Sequence, residues 1–266
     1  VVRLGVSEEG RVDEADLAEA LAGGAPALVS LMWVNNETGM VLPVAEVAAR
    51  ARAAGAAVHT DAAQALGKVP VDLRAAQVDL LSATGHKIHG PKGTGLLFVR
   101  DGTAVAPLLH GGGQERGLRP GTEDVAGAVG LATAVRLAVA ELDAEAARLG
   151  ALRDRLERAL LARVEGLRVN AGRAARAPHI LSVGIEGAGN AAALVAALDL
   201  EGVAVSSGSA CVSGASEVSH VLRALYGPGE RRAALRFSLG RGTTAEDVDR
   251  AAAAVAAVVG RMRAAA

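Results

Sequence analysis

Ser82-Ala83-Thr84-Gly85-His86-Lys87-Ile88-His89-Gly90-Pro91-Lys92-Gly93 is the stretch on which the reading of the fold turns. The apolar run Val78-Asp79-Leu80-Leu81 leads into it and reads as a buried strand, and a second run, Leu96-Leu97-Phe98-Val99, follows. Between them the chain carries a hydroxyl, two histidines and a lysine, then breaks on Gly and Pro. In open α/β sheets ligands collect beyond the carboxyl ends of strands, so this is a place for chemistry. Taken alone, Lys87 reads either as a Schiff-base lysine or as a solvated loop lysine, and the stretch by itself favours the solvated one.

Composition narrows the field. The chain has 266 residues, 51% of them hydrophobic, and a formal net charge of −1. That length can bury a full core in one large or two smaller domains. The charge balance gives no support for a nucleic-acid surface. No apolar run has bilayer length and no signal peptide is visible, so a cytoplasmic protein is expected. One cysteine, Cys211, excludes an intrachain disulfide framework. Only three lysines occur, Lys68, Lys87 and Lys92, against many arginines. Arginine cannot serve as an amine nucleophile, so the clustering of two lysines in one stretch raises its interest.

Working outward, residues 1–12 read as a strand and turn and 13–21 as a helix capped by Asp13. Residues 27–33 form a strand-length apolar run that breaks into Asn35-Asn36-Glu37-Thr38-Gly39, a turn rich in donors and acceptors. Pro43 opens a helix to about Ala54 with Gly55 past its end. The strand 56–60 then delivers Asp61-Ala62-Ala63-Gln64. Strand, helix, strand, loop is the rhythm of a mostly parallel sheet, which sends Asn36, Asp61/Gln64 and residues 84–87 to one edge. The segment His110-Gly111-Gly112-Gly113-Gln114-Glu115-Arg116-Gly117, followed by Arg119 and Thr122, reads either as an anion cradle or as a flexible linker. Residues 123–164 are helical with Gly150 as a joint, and a domain boundary is expected near 140–150. A smaller α+β domain follows: strand 180–185, helix 190–200, strand 203–207, helix 216–225, strand 235–239, helix 245–262. Cys211 sits in a Ser/Gly-rich loop, accessible or buried with equal weight. Arg236 lies inside an apolar strand and requires a carboxylate partner, structural or substrate.

Together these segments resemble the cysteine desulfurases, pyridoxal-phosphate enzymes of the bacterial iron–sulfur-assembly type. The residues that carry the likeness are Val34-Asn35-Asn36-Glu37-Thr38-Gly39, His59-Thr60-Asp61-Ala62-Ala63-Gln64, Gly85-His86-Lys87-Ile88-His89-Gly90-Pro91-Lys92-Gly93, the glycine segment from His110 to Gly117, and the stretches 206–211 and 236–241. The resemblance implies a fold type I α/β architecture. Residues 1–143 would be the carboxyl-terminal portion of the cofactor-binding large domain, its mostly parallel sheet incomplete at the N-terminus, and 144–266 a smaller C-terminal α+β domain. It implies that Lys87 holds pyridoxal 5'-phosphate and shuttles the Cα proton, and that Asp61 keeps the pyridine nitrogen protonated. Gln64 and Asn36 would lie at the phenolic oxygen, Asn36 also near the substrate. Thr84, Gly85 and His86 would contact the phosphate; many relatives have serine at Thr84. Thr122 would reach the phosphate of a neighbouring subunit, implying a homodimer. Arg236 would bind the substrate carboxylate. Cys211 would accept sulfur from L-cysteine as a persulfide and pass it to an iron–sulfur scaffold or tRNA-thiolation protein, leaving alanine.

The same resemblance implies about a hundred further residues ahead of Val1, roughly a domain-half on the usual size scale. These would bring a phosphate-gripping turn, a ring-stacking histidine and further strands. The chain is therefore expected to be a partial sequence. The alternatives are another fold type I enzyme, a selenocysteine lyase or aminotransferase, or an inactive truncated form that acts only as a binding piece. No metal, nucleic acid or membrane is expected as a partner.

Overall fold

The computed structural model describes residues 1–24, 28–208 and 219–265. In chain order the elements are α1 (Glu14–Ala22), β1 (Leu28–Met32), α2 (Val44–Ala53), β2 (Ala57–Asp61), α3 (Leu73–Ala76), β3 (Leu80–Thr84), a 3₁₀ turn (Gly85–Ile88), β4 (Gly95–Val99), a second 3₁₀ turn (Glu115–Gly117), α4 (Val125–Ala140), α5 (Leu142–Arg163), β5 (Leu167–Val169), β6 (Ile180–Ile185), α6 (Ala191–Leu200), α7 (His220–Tyr226), β7 (Ala233–Ser238) and α8 (Ala245–Ala264). Local chemistry explains most of the starts. Asp13 Oδ1 accepts from the amides of Ala15 and Asp16, and Asn190 Oδ1 from that of Ala193, satisfying N–H groups that have no intrahelical partner. Thr244 and Asp247 form a reciprocal capping box on α8.

The chain divides into two compact units, one of Ala20–Trp33 and Val44–Leu142, the other of Val1–Glu19, Val34–Pro43 and Asp143–Ala266. This differs from a single cut between 143 and 144, because two amino-terminal segments pack with the carboxyl-terminal unit.

In the first unit, β1, β2 and β3 run parallel and β4 antiparallel, in the spatial order β1-β2-β3-β4. Parallel pairing forces a crossover between strands, which α2 and α3 supply. One face packs against these helices through Val29, Leu31, Val58, Val44, Ala48, Ala51 and Val78. The opposite face carries Leu28, Ser30, His59, Asp61 and Ser82, because side chains alternate along each strand and the register aligns Ser30 with His59 and Asp61 with Ser82. A second cluster, Ile88, Leu131 and Ala134 with Leu66 and Ala138, fastens the 3₁₀ turn to α4.

The other unit is a three-stranded antiparallel sheet, β5-β6-β7, under α5, α6 and α8. All six residues of β6 are buried. Several expectations are corrected here. Residues 1–12 form only an isolated bridge, Val6 with Val12, and 203–207 only the bridge Ser206 with Arg236. The long helix breaks at Glu141, the C-cap of α4, and Gly150 lies inside α5. The strand β5 was not anticipated. Among the described residues no single helix is long and apolar enough to cross a membrane.

Candidate active site

Parallel pairing of β2 with β3 sends both carboxyl ends the same way, and Asp61 closes β2 while Thr84 closes β3. Asp61 Oδ1 accepts from the amide of Ala63 at 2.8 Å, which turns the chain and fixes the carboxylate; Oδ2 has no partner among the described residues. Gln64 follows in that turn, half-buried. Thr84 Oγ1 lies 2.8 Å from His86 Nδ1 and 3.3 Å from the Thr94 carbonyl, so hydroxyl and ring form one hydrogen-bonded pair. Gly85 donates its own N–H to Thr94 O at 3.0 Å, so it contributes space rather than a donor: a Cβ there would meet Thr94 Oγ1 at 2.6 Å. Next to it Lys87 is exposed and makes no hydrogen bond or ion pair among the described residues, while Ile88 beside it is buried against α4. The lysine is thus held at its backbone and free at its amine.

Three residues of this face, Ser30, His59 and Ser82, were given no role from the sequence. His59 bridges its neighbours, with Nδ1 2.8 Å from Ser30 Oγ and Nε2 3.2 Å from Ser82 Oγ. Burial holds its pKa below the ordinary imidazole value, and the nearby Asp61 carboxylate offsets part of that. Strand alternation from Asp61 was the available signal. Thr122 is exposed and makes no hydrogen bond among the described residues.

In the other unit, the two asparagines of the 35–39 turn have different work. Asn35 Oδ1 accepts from the amides of Glu37 and Thr38 at 3.0 and 2.9 Å and from Thr38 Oγ1, building the turn. Gly39 completes it at φ +76°, pressed so closely on Ile180 that a Cβ would lie 2.9 Å from it. Asn36 makes no side-chain hydrogen bond among the described residues and offers its carbonyl to Arg236 Nη1 at 2.8 Å. Arg236 Nε is buried without a partner among the described residues. Its backbone pairs with Ser206 in both directions, at 2.7 and 3.2 Å. Cys211 lies outside the described residues. Asp61, Gln64, Thr84, Gly85, His86 and Lys87 therefore share one unit, and Asn36 and Arg236 the other.

The chain belongs to the aminotransferase class-V family, whose profile matches residues 1–251. It is 45% identical over 261 residues to a cysteine desulfurase of Gluconacetobacter diazotrophicus, covering 98% of this chain and 65% of that protein. It is 48% identical over 265 residues to a cysteine desulfurase of Cereibacter sphaeroides, covering 99% and 67%. A crystal structure of a NifS-like protein from Rickettsia africae, 28% identical, superposes with a TM-score of 0.87 over 96% of this chain and 68% of that one. The chain thus spans about two thirds of the length of the curated relatives it matches.

Proposed function

We propose that this chain is part of a pyridoxal-phosphate-dependent cysteine desulfurase, which takes sulfur from L-cysteine and leaves L-alanine with a persulfide on Cys211. The observation that carries the reading is the common edge of β2 and β3, with a fixed carboxylate at one strand end and a free amine one turn past the other. The donor set fits the cofactor: among the described residues, an unpartnered amine and a carboxylate oxygen without a donor, with a Thr–His pair suited to a phosphate. Bound there, the cofactor supplies an electron sink for the substrate's α-carbon.

In this reading Lys87 holds the cofactor and carries the Cα proton at Nζ. Asp61 keeps the ring nitrogen protonated, with Gln64 and Asn36 at the ring oxygen. Thr84, Gly85 and His86 line the phosphate, joined by Thr122 from a second subunit of a homodimer. Arg236 binds the substrate carboxylate, and its buried, unpartnered Nε supports this, since a carboxylate can satisfy two guanidinium donors together. The Cys211 thiol gives up its proton and its sulfur bonds to the substrate sulfur as the substrate's Cβ–S bond breaks. The bonding pair stays with carbon, which takes up a proton to become the methyl group of alanine. L-cysteine and a thiol thus become alanine and a persulfide, with no outside oxidant. The persulfide then passes to an iron–sulfur or thiolation acceptor in the cytoplasm.

The test uses the full-length protein. Alanine should appear with a persulfide on Cys211, and Cys211→Ala should lose sulfur release by roughly a hundredfold or more, as removal of a nucleophile does. Sulfide release at the wild-type rate from Cys211→Ala, or a keto acid in place of alanine, would contradict the reading.

A further inference from the structure

His59 has no part in the chemistry above, yet it stands on the same face of the four-stranded sheet as Asp61. Side chains paired across strands point the same way, so Ser30, His59 and Leu80 form one row and Met32, Asp61 and Ser82 the next. His59 and Asp61 lie two residues apart on β2, about 7 Å between Cα atoms. The His59 ring reaches both neighbouring strands, with Nδ1 2.8 Å from Ser30 Oγ and Nε2 3.2 Å from Ser82 Oγ. A neutral imidazole offers one donor and one acceptor, and two hydroxyls satisfy both. The backbone around Asp61 is tied to the same two strands: its carbonyl accepts from Trp33 N at 2.8 Å, and the next amide, Ala62, donates to Ser82 O at 2.8 Å. β1 and β3 bring hydroxyls and apolar side chains to the ring, so the charge that acts on it is that of Asp61.

We infer that His59 is a positioning residue for Asp61: bonded to Ser30 and Ser82 at once, its ring spans the three parallel strands one row behind the carboxylate and holds that carboxylate at a fixed depth. The assignment rests on the pyridoxal-phosphate reading only for what Asp61 does with a bound ring; the coupling of the two side chains stands without it. Bracing matters here because Asp61 is the last residue of β2, with no further strand residue to hold it. Charge matters too. Burial disfavours the charged imidazole, the carboxylate favours it, and burial prevails. A neutral His59 leaves the Asp61 carboxylate to a cationic ring nitrogen. A protonated His59 competes with that nitrogen for the same carboxylate, so in acid the two cations oppose each other. The coupling is reciprocal: a cofactor held by Asp61 lowers the proton affinity of His59 by the same factor that a proton on His59 weakens the cofactor.

The experiment uses the full-length protein, first free of cofactor. Histidine ring nitrogens are isotope-labelled and followed by NMR against pH, the His59 signals being those that vanish in His59→Gln. Asp61→Asn should move the His59 midpoint down by about half a unit or more. Pyridoxal phosphate is then titrated in. His59→Leu removes both hydrogen bonds and should raise the Kd about tenfold in mild alkali, where the ring is neutral. His59→Gln keeps a donor and an acceptor and should stay within about threefold of wild type. In wild type the Kd should rise as pH falls below 6.5, by a step that His59→Gln lacks. If His59→Leu does not fold, Ser30→Ala combined with Ser82→Ala removes the same two contacts. A His59 midpoint unmoved by Asp61→Asn, wild-type affinity once the two contacts are removed, or no recovery with glutamine would each overturn the inference. A wild type that binds no pyridoxal phosphate would sink the functional reading, and the Asp61→Asn titration would still decide the coupling.

Discussion

The two sheets of this chain are unlike in one respect that organises everything else. β6, the centre of the three-stranded sheet, is buried at all six positions, and its unit closes on Leu156, Leu160, Leu181, Leu194, Leu198 and Val255. The four-stranded sheet is packed on one face only. On the other, Leu28 is 46% and Leu97 52% exposed, and Ser30, His59 and Asp61 sit beside them. Parallel strands are normally covered on both faces, and this chain spans only about two thirds of the length of its curated relatives. Candidate site residues lie in both units, but within this chain one unit is closed by its own core while the other leaves one face of its sheet uncovered.

The largest test of that contrast is truncation in each sheet. Leu181→Ala, in the closed unit, should cost about 2–5 kcal/mol in denaturant unfolding, from lost transfer energy and the cavity left behind. Leu97→Ala, on the open face, should stay within about 0.5 kcal/mol. Equal losses would break the comparison.

A smaller effect separates the units by pH. Burial holds the His59 pKa below its ordinary 6.5, so the folded state favours the neutral ring. Its contribution is complete above that value and is lost as pH falls through the folded pKa. Glu230 is held below its ordinary 4.5 chiefly by its hydrogen bond to Arg232, so its contribution is present above that value and fades only in stronger acid. Unfolding midpoints measured against pH should therefore decline first through a step removed by His59→Asn, then through one removed by Glu230→Gln. The reverse order would show that the open sheet is not the acid-sensitive part.

Much of this was legible in the chain. The strand–turn–strand at 78–99, the helix start at Pro43 and the cap at Asp13 are local signals, and each is read from neighbours in sequence. What escaped reading depends on distant partners. The apolar run 203–207 has strand composition, yet only Ser206 finds a backbone partner on Arg236. Gly150 costs its helix about 1 kcal/mol relative to alanine, but Leu149, Leu156 and Leu160 in the core hold α5 through it. Glu37 meets Ser219 across 182 positions and Asn36 meets Arg236 across 200, distances over which spacing carries no information. Lys87 was ambiguous for a different cause: its exposure suits both a solvated side chain and a cofactor lysine, and what favours the second is the company of Asp61, Gln64, Arg236 and Cys211 and the scarcity of other lysines.

The account stands on that lysine. The full-length protein loaded with pyridoxal 5'-phosphate should be reduced with borohydride, digested, and its peptides mapped by mass. The account predicts the pyridoxyl mass on Lys87, with Lys68 and Lys92 unlabelled. Label on either of those two, or on no lysine of this chain, would contradict it.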